Sequence, residues 1–408
     1  MKVLRITTEI NRSSIGRTTE QIGRMVINEG WESYIAWGRT DGTSDSQKIH
    51  IGNRFSVLFH VLLTRLFDMH GYGSYFATKK FLKTIDDIKP DIIHLHDIHG
   101  YYINIKLLFD YLKKNNVPVV WTHHDNWAFT GHCGSIKDKC EKWKTGCHNC
   151  PIYNMYPKSW FYDGSSRNYK YKRKYFTSLK QIYNVGVSEW TCAELRDSFL
   201  NKFYIEKIYN GIDTSVFKPN KTFEKEIREK YHLGNGILLT AVSTAWSASK
   251  GLNDYLALRK KLDEKYTIVF VGATQDLIDS LPHGIIGIKR TDNMEELASI
   301  YSISSIVMNL SESESFGKTT PEGLACGVPS IVYNCTASPE LVDEKTGIVV
   351  EKGDINGVAQ AVDKIMSWDK ESTAKKCRER AVNLFNVNNN WAKYIELYKK
   401  IAEERHFI

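Results

Sequence analysis

Short β-branched runs alternate with stretches whose apolar residues recur every three to four positions, nearly from one end of the chain to the other. The short runs suit buried strands and the longer stretches suit amphipathic helices, so the pattern reads as βαβ units around a parallel sheet. In the first half, strands are predicted at 3–7, 33–37, 92–96 and 117–122. A helix is predicted at 18–29, with Ile22, Met25 and Val26 inward and Gly30 as its stop. After residue 209 the alternation restarts, with strands predicted at 237–242, 267–271, 284–288, 305–309, 330–333 and 347–350. Two such sets predict an α/β protein of two Rossmann-like domains facing a cleft.

Three stretches stand outside the alternation. Residues 130–173 are rich in Gly, Cys, Trp, Tyr and Lys and follow neither period, as a long functional loop would. Residues 390–404 carry an apolar helical stripe, Trp391, Ile395, Tyr398 and Ile401, that must dock somewhere. Residues 55–67 form the longest apolar run, but His60, Thr64 and Arg65 interrupt it, and no run reaches the roughly 20 residues a membrane span needs. We found no internal repeat and no low-complexity tract.

The composition adds limits. With 408 residues, 42% hydrophobic, 25% charged, 27 Gly and 9 Pro, the chain is globular, and disordered and collagen-like classes are excluded. The N-terminus reads as a strand from residue 2 with no secretory leader before it, which places the protein in the cytoplasm. The net charge of +8 sits entirely in the first half: residues 1–208 hold 30 Lys+Arg against 20 Asp+Glu, and the remainder holds 25 against 27. A basic half suits nucleic acid, an anionic membrane surface or a diphosphate-bearing substrate.

The most specific stretch is NLSESESFGKTTPEGLACGVPSIV at 309–332, in which Glu314 and Glu322 stand eight apart. A strand should end near Asn309 and a helix begin near Lys318, with Pro321 in its first turn. The amides of Phe316, Gly317 and Lys318 would then lie at a helix N-terminus, a ready site for a diphosphate, with small Gly317 letting the backbone come close. Glu322 can accept two hydrogen bonds from a ribose diol, and Glu314 can reach a sugar hydroxyl. A capping acid and a surface acid are the plain structural alternative.

These residues resemble the donor site of the family 4 retaining glycosyltransferases of the GT-B fold, through the E-x7-E pattern and the GLACGVP that follows. Asn210-Gly211-Ile212-Asp213 with Phe217-Lys218-Pro219 resembles that family's entry to its second domain, and 185–188 the strand just before it. THHDNWAFTGHC followed by CEKWKTGCHNCP and YPKS is similar to a subgroup that builds bacterial surface polysaccharides, the colanic-acid type galactosyltransferases among them. The resemblance covers nearly the whole chain. It implies an N-terminal acceptor domain at 1–208 with a Cys-rich loop at 130–165, a donor domain at 209–388, and a last helix, 389–408, returning to the first domain. It further implies transfer of a hexose, with UDP-galactose the favoured donor, to a lipid-linked or oligosaccharide acceptor of capsule, exopolysaccharide or lipopolysaccharide synthesis.

Carried over by residue, Glu314 would contact the donor sugar, Glu322 the ribose and Lys250, in SASKGL, the diphosphate. The family's arginine five or six residues before that lysine is replaced here by Thr244 or Ala245; Lys318 is one candidate substitute, and weak donor binding is the alternative. His124 matches the histidine that holds the donor sugar, with Asp125 beside it on the donor side; His94, His96 and His99 follow the neighbouring strand. Gly16, in NRSSIGR, is what remains of the family's glycine-rich loop, and a solvated turn with a helix cap explains it equally well. No catalytic metal is implied.

Cys133-x6-Cys140-x6-Cys147-x2-Cys150, interleaved with His132 and His148, supplies four thiolates for a tetrahedral structural zinc, or else a set of free buried thiols. Residues 169–175, YKYKRKY, mix cations and aromatics; a solvated helix face ranks first, contact with the inner membrane surface second and nucleic acid last. The amphiphilic run 54–67 is a second candidate for that peripheral membrane contact. Rival readings are another nucleotide-sugar enzyme of the same fold, such as an epimerase, and a zinc-bearing nucleic-acid module. The second leaves Glu314 and Glu322 without a role.

Overall fold

The computed structural model of the chain describes residues 1–136 and 140–406. Two compact units emerge, Met1–Ile208 with Trp391–Ile408, and Tyr209–Asn390.

The first unit is built on seven strands: β1 (Lys2–Glu9), β2 (Glu32–Thr40), β3 (Gln47–His50), β4 (Ile92–Leu95), β5 (Val119–His123), β6 (Ile182–Gly186) and β7 (Tyr204–Lys207). They pair in parallel in the order β3-β2-β1-β4-β5-β6-β7. Every residue of β4 and β5 is buried, as expected of strands covered by helices on both faces. The order reverses between β1 and β4, and α/β sheets bind ligands beyond the carboxyl ends of the strands at such a switch point.

The first helix begins earlier than its apolar spacing predicts. It spans Ser14–Asn28 because Ser13 caps it, its Oγ accepting from the Gly16 amide at 3.1 Å, and it ends at Gly30, whose φ is +75°. Gly16 is therefore a helical residue, not part of a loop that offers amides to a phosphate. Its lack of a side chain serves packing, since a Cβ would stand 3.0 Å from Glu9 O and Asn11 N at the end of β1.

The irregular tract also ends sooner than predicted, at a helix spanning Ser165–Phe176. That helix is not a wet face throughout. Tyr169 and Lys172 are buried, and Lys172 donates from Nζ to Trp127 O at 2.6 Å and Thr130 O at 3.1 Å. Those two hydrogen bonds pin the Cys-rich tract from beneath, while burial lowers the Lys172 pKa to about 7.

The C-terminal stripe belongs to a helix, Val387–His406, whose residues from Trp391 onward pack in the first unit. Tyr398 OH meets His94 Nδ1 at 2.5 Å and Tyr394 OH meets Thr122 Oγ1 at 2.9 Å, joining the helix to β4 and β5.

The second unit holds β8 (Ile237–Val242), β9 (Tyr266–Val271), β10 (Ile285–Ile288), β11 (Ile306–Asn309), β12 (Ser330–Tyr333) and β13 (Gly347–Val350). They run parallel in the order β10-β9-β8-β11-β12-β13, with the switch point between β8 and β11. Leu239, Ile268, Phe270, Ile306, Met308 and Ile331 form the centre of its core. Among the described residues no helix is long and apolar enough to cross a membrane.

Candidate functional site

In the second unit, the residues after β8 and after β11 meet at the switch point. Leu310 lies so close to Gly251 that a Cβ there would stand 2.4 Å from Leu310 O, and Gly251 has φ +76°. No other residue type fits both constraints without strain. The Ser249 carbonyl accepts from the Glu312 amide at 3.0 Å, tying the two segments together a second time. Lys250 is thereby held against Glu314, with Nζ to Oε1 at 2.5 Å in a partly buried ion pair. Thr336 fixes the Glu314 backbone from the other side: its Oγ1 accepts from Glu314 N and donates to Glu314 O, both at 2.8 Å.

The chain then turns at Gly317, φ +84°, into a helix spanning Thr319–Ala325. A Cβ at Gly317 would approach Asn309 Nδ2 at 3.1 Å. The Phe316 ring is 1% exposed and packs with Tyr209 and Phe385, so its side chain anchors the turn rather than lining a site. Lys318 occupies the N-cap position in helical geometry. Glu322 follows on the helix, half-buried, with Tyr301 donating to its Oε2 at 3.1 Å. Five sequence-predicted donor residues, Lys250, Glu314, Gly317, Lys318 and Glu322, thus stand on three segments at one end of this sheet.

In the first unit the chemistry gathers beyond β4 and β5. His123, the last residue of β5, is buried and meets Asn184 Oδ1 at 2.9 Å, whereas His124, just past the strand end, is half-buried. His124 Nε2 faces His96 Nδ1 at 3.1 Å with the rings stacked. Burial holds His96 well below the usual histidine range, so that ring is neutral. His94 is structural, bridging Thr122 Oγ1 and Tyr398 OH.

Asp125 Oδ1 accepts from the Trp127 amide at 2.9 Å, and Asp125 Oδ2 lies 2.8 Å from His99 Nε2. Asp97 Oδ1 is 3.7 Å from the same nitrogen. Burial works against charge on all three groups. It pushes Asp97 up to about 7, whereas the His99–Asp125 contact overcomes it, raising His99 and lowering Asp125. Asp97 was not singled out from the sequence. The available signal was Asp97-x-His99 directly after β4, beside β5, at the sheet's switch point.

The four cysteines line one pocket with Ile136, Trp143 and Pro151, and none is in a disulfide. The Gly131 amide donates to Cys147 Sγ at 3.1 Å. The interleaved histidines are otherwise engaged: His132 Nδ1 is 2.7 Å from Asp68 Oδ1 with both side chains fully buried, and His148 Nδ1 faces Gly146 O. Among the described residues, three ligand atoms within 4.8 Å of one another occur only at Asp97, His99 and Asp125, so the four sulfurs are not drawn to metal-binding distance.

Residues 15–216 match the model of the family described as Glycosyltransferase Family 4, and residues 237–367 the model described as Glycosyl transferases group 1. The chain is a family 4 glycosyltransferase. This glycosyltransferase is 28% identical over 170 residues to WcaC of Escherichia coli K12, named for colanic acid biosynthesis, across 38% of this chain and 41% of WcaC. The match thus spans less than half of that relative. A 41.2 kDa protein of the cps region of Klebsiella pneumoniae is 26% identical over 341 residues, 78% of this chain and 81% of its own. Among solved structures, Anabaena HepE in complex with UDP superposes with a TM-score of 0.69 at 13% identity, over 98% of this chain and all of that one. The two-domain GT-B architecture read from the sequence is the one observed.

Proposed function

We propose that this glycosyltransferase moves a hexose from a UDP-sugar to a hydroxyl of a growing surface polysaccharide, with the donor's anomeric configuration kept. The observation that carries the reading is the Lys250–Glu314 pair at the β8/β11 switch point, one turn of chain before Gly317 and Glu322. Lys250 has three N–H donors and Glu314 engages one of them, which leaves the ammonium able to bind a diphosphate and to stabilise the charge that grows on it as the sugar departs. Glu322, steadied by Tyr301, binds the ribose diol. His124 holds the donor sugar, and the acceptor's proton passes to the leaving phosphate. The uridine assignment is supported by UDP in HepE, and the polysaccharide assignment by the names of the colanic acid and cps-region relatives.

A panel of nucleotide sugars in a thermal-shift assay tests this reading. A UDP-sugar at a hundredfold its Kd should stabilise the protein by about 2.7 kcal/mol. If no nucleotide sugar raises Tm, the reading fails.

The acceptor is lipid-linked in this proposal, and the helix Arg54–Phe67 meets the membrane. His60 and Thr64 face inward, while Phe55, Leu58, Phe59 and Leu62 are exposed, at 82% for Phe55. Phe76, 84% exposed, and the lysines at 79, 80 and 83 lie on the next helix, Tyr75–Ile88. Apolar side chains among cations suit an anionic bilayer surface. The protein should float with phosphatidylglycerol vesicles and not with phosphatidylcholine vesicles, and Phe55→Ser with Phe59→Ser should abolish flotation; equal flotation by the variant rules the surface out.

A structural zinc on Cys133, Cys140, Cys147 and Cys150 completes the proposal. Bonds of about 2.3 Å to one tetrahedral ion would draw the sulfurs together to about 3.8 Å apart. Lys172 beneath them would offset the charge of four thiolates. Purified protein should carry one zinc per chain by mass spectrometry, with content and Tm both falling in Cys147→Ser. Metal-free protein of full stability refutes it.

A further inference from the structure

A cavity of about 360 Å³ opens in front of Asp125, built wholly from the first unit and lined by Asp125, Gly134, Ser135, Ile152, Met155 and Tyr156. Its volume falls within the range of small-molecule sites, about 300 to 1,000 Å³. We propose that this cavity is the acceptor-sugar subsite and that Asp125, positioned by His99, binds acceptor hydroxyls there. The proposal rests on the glycosyltransferase reading and gives its second substrate a place.

The carboxylate is held ready for such a role. One oxygen accepts from the Trp127 amide and the other lies 2.8 Å from His99 Nε2 as an ion-pair contact, leaving lone-pair positions for a ligand. The segment carrying His99 is locked in turn, since Thr8 Oγ1 contacts the carbonyls of Asp97 at 3.1 Å and His99 at 2.9 Å, and Tyr102 OH donates to Asp97 O at 2.6 Å. A preorganised carboxylate suits hydroxyl recognition, because a site built to bond an OH leaves a buried polar group unpaired when the OH is missing.

The walls have the matching chemistry. Tyr156 is 53% exposed, and its ring rests on His70 and Tyr101, which leaves an aromatic surface for the C–H face of a pyranose. Ser135 adds a hydroxyl. The lining decides between the two substrates: among the described residues it offers a carboxylate, a hydroxyl and an aromatic face but no cation for a diphosphate, which suits a neutral polyol. Asp125, which the family resemblance puts on the donor side, is therefore assigned to the acceptor.

The wall residues directly follow cysteines, Gly134 and Ser135 after Cys133, and Ile152, Met155 and Tyr156 after Cys150. The Cys-rich tract thereby acquires a purpose, as the piece of chain that shapes the cavity. Gly134 leaves room at the carboxylate, since a Cβ there would stand 3.1 Å from Asp125 Oδ2.

Saturation-transfer NMR with methyl galactopyranoside and methyl glucopyranoside as acceptor mimics, in the presence of UDP, tests the assignment. Wild type should give saturation transfer to at least one glycoside. Asp125→Asn should weaken that binding at least tenfold, and Ser135→Trp, which fills the cavity and keeps the carboxylate, should do the same. His99→Gln, which removes the positioning contact but leaves the carboxylate in place, should weaken it less. Both Asp125→Asn and Ser135→Trp should keep the UDP-induced rise in Tm, which also shows that they fold. Glycoside binding that survives both variants overturns the subsite, as does the absence of any glycoside signal while UDP still binds. Retention of Mn²⁺ by wild type and not by Asp125→Asn would overturn it too, by making Asp97, His99 and Asp125 a cation site. Failure of UDP to bind wild type is a separate result, which strikes the glycosyltransferase reading itself.

Discussion

Glu314→Gln and His124→Ala should each slow sugar transfer at least about a hundredfold, equivalent to roughly 2.7 kcal/mol of lost transition-state stabilisation. Both residues are assigned to the sugar rather than the nucleotide, so their loss should fall on kcat more than on donor affinity. For Glu314 the ion pair sharpens the expectation. In the proposed donor complex Lys250, paired with Glu314, would divide its charge between that carboxylate and the diphosphate, and loss of the carboxylate would release the ammonium to the nucleotide. UDP should therefore bind Glu314→Gln as tightly as wild type or more tightly, while transfer collapses. For His124, truncation removes the partner of a neutral, buried His96, and the fold is held elsewhere, by His94 with Tyr398 and by Thr122 with Tyr394. Isothermal titration with UDP beside transfer kinetics separates the two quantities. Near wild-type turnover in either variant would make that residue structural.

Glu322→Gln should weaken donor binding well over tenfold with the fold intact. A neutral amide keeps the shape of the side chain and still accepts from Tyr301, but it loses the charge-assisted bonds to the ribose, worth roughly 1.5 to 3 kcal/mol. Tyr301 is buried in the core, so its hydroxyl stays aimed at position 322 in the variant. The donor KM should rise in step with the UDP Kd, and thermal unfolding should stay within about 0.5 kcal/mol of wild type, as for other half-exposed substitutions. An unchanged donor KM would remove Glu322 from the nucleotide site.

What the sequence determined by itself is whatever depends on neighbours along the chain. A strand needs only a few consecutive β-branched residues to declare itself, and the runs at 237–242, 330–333 and 347–350 coincide with β8, β12 and β13. The short strands β3 and β7 carry no such run, because their residues are all at least partly exposed and the strands are held by pairing rather than by apolar content. The donor motif was legible because strand, turn and helix stand within 24 consecutive residues and their turn requires Gly317. Helix starts were less so: the apolar period says nothing of Ser13, whose cap extends the first helix to Ser14 and absorbs Gly16.

Only the tertiary structure decided which polar groups meet. Sheet order, not chain order, sets β8 beside β11 and so brings Lys250 to Glu314 across 64 residues. The same ordering sets β4 beside β5, which joins Asp97 and His99 to Asp125 and separates a bridging His94 from the half-buried His124. The aromatic and basic residues at 169–175 read as solvated in sequence, yet Lys172 turns inward because carbonyls of a distant loop satisfy its ammonium. Hydrophobic periodicity records which face of an element is buried. It does not record which partner waits on that face, and the charge, protonation and reach of a side chain are set by the partner.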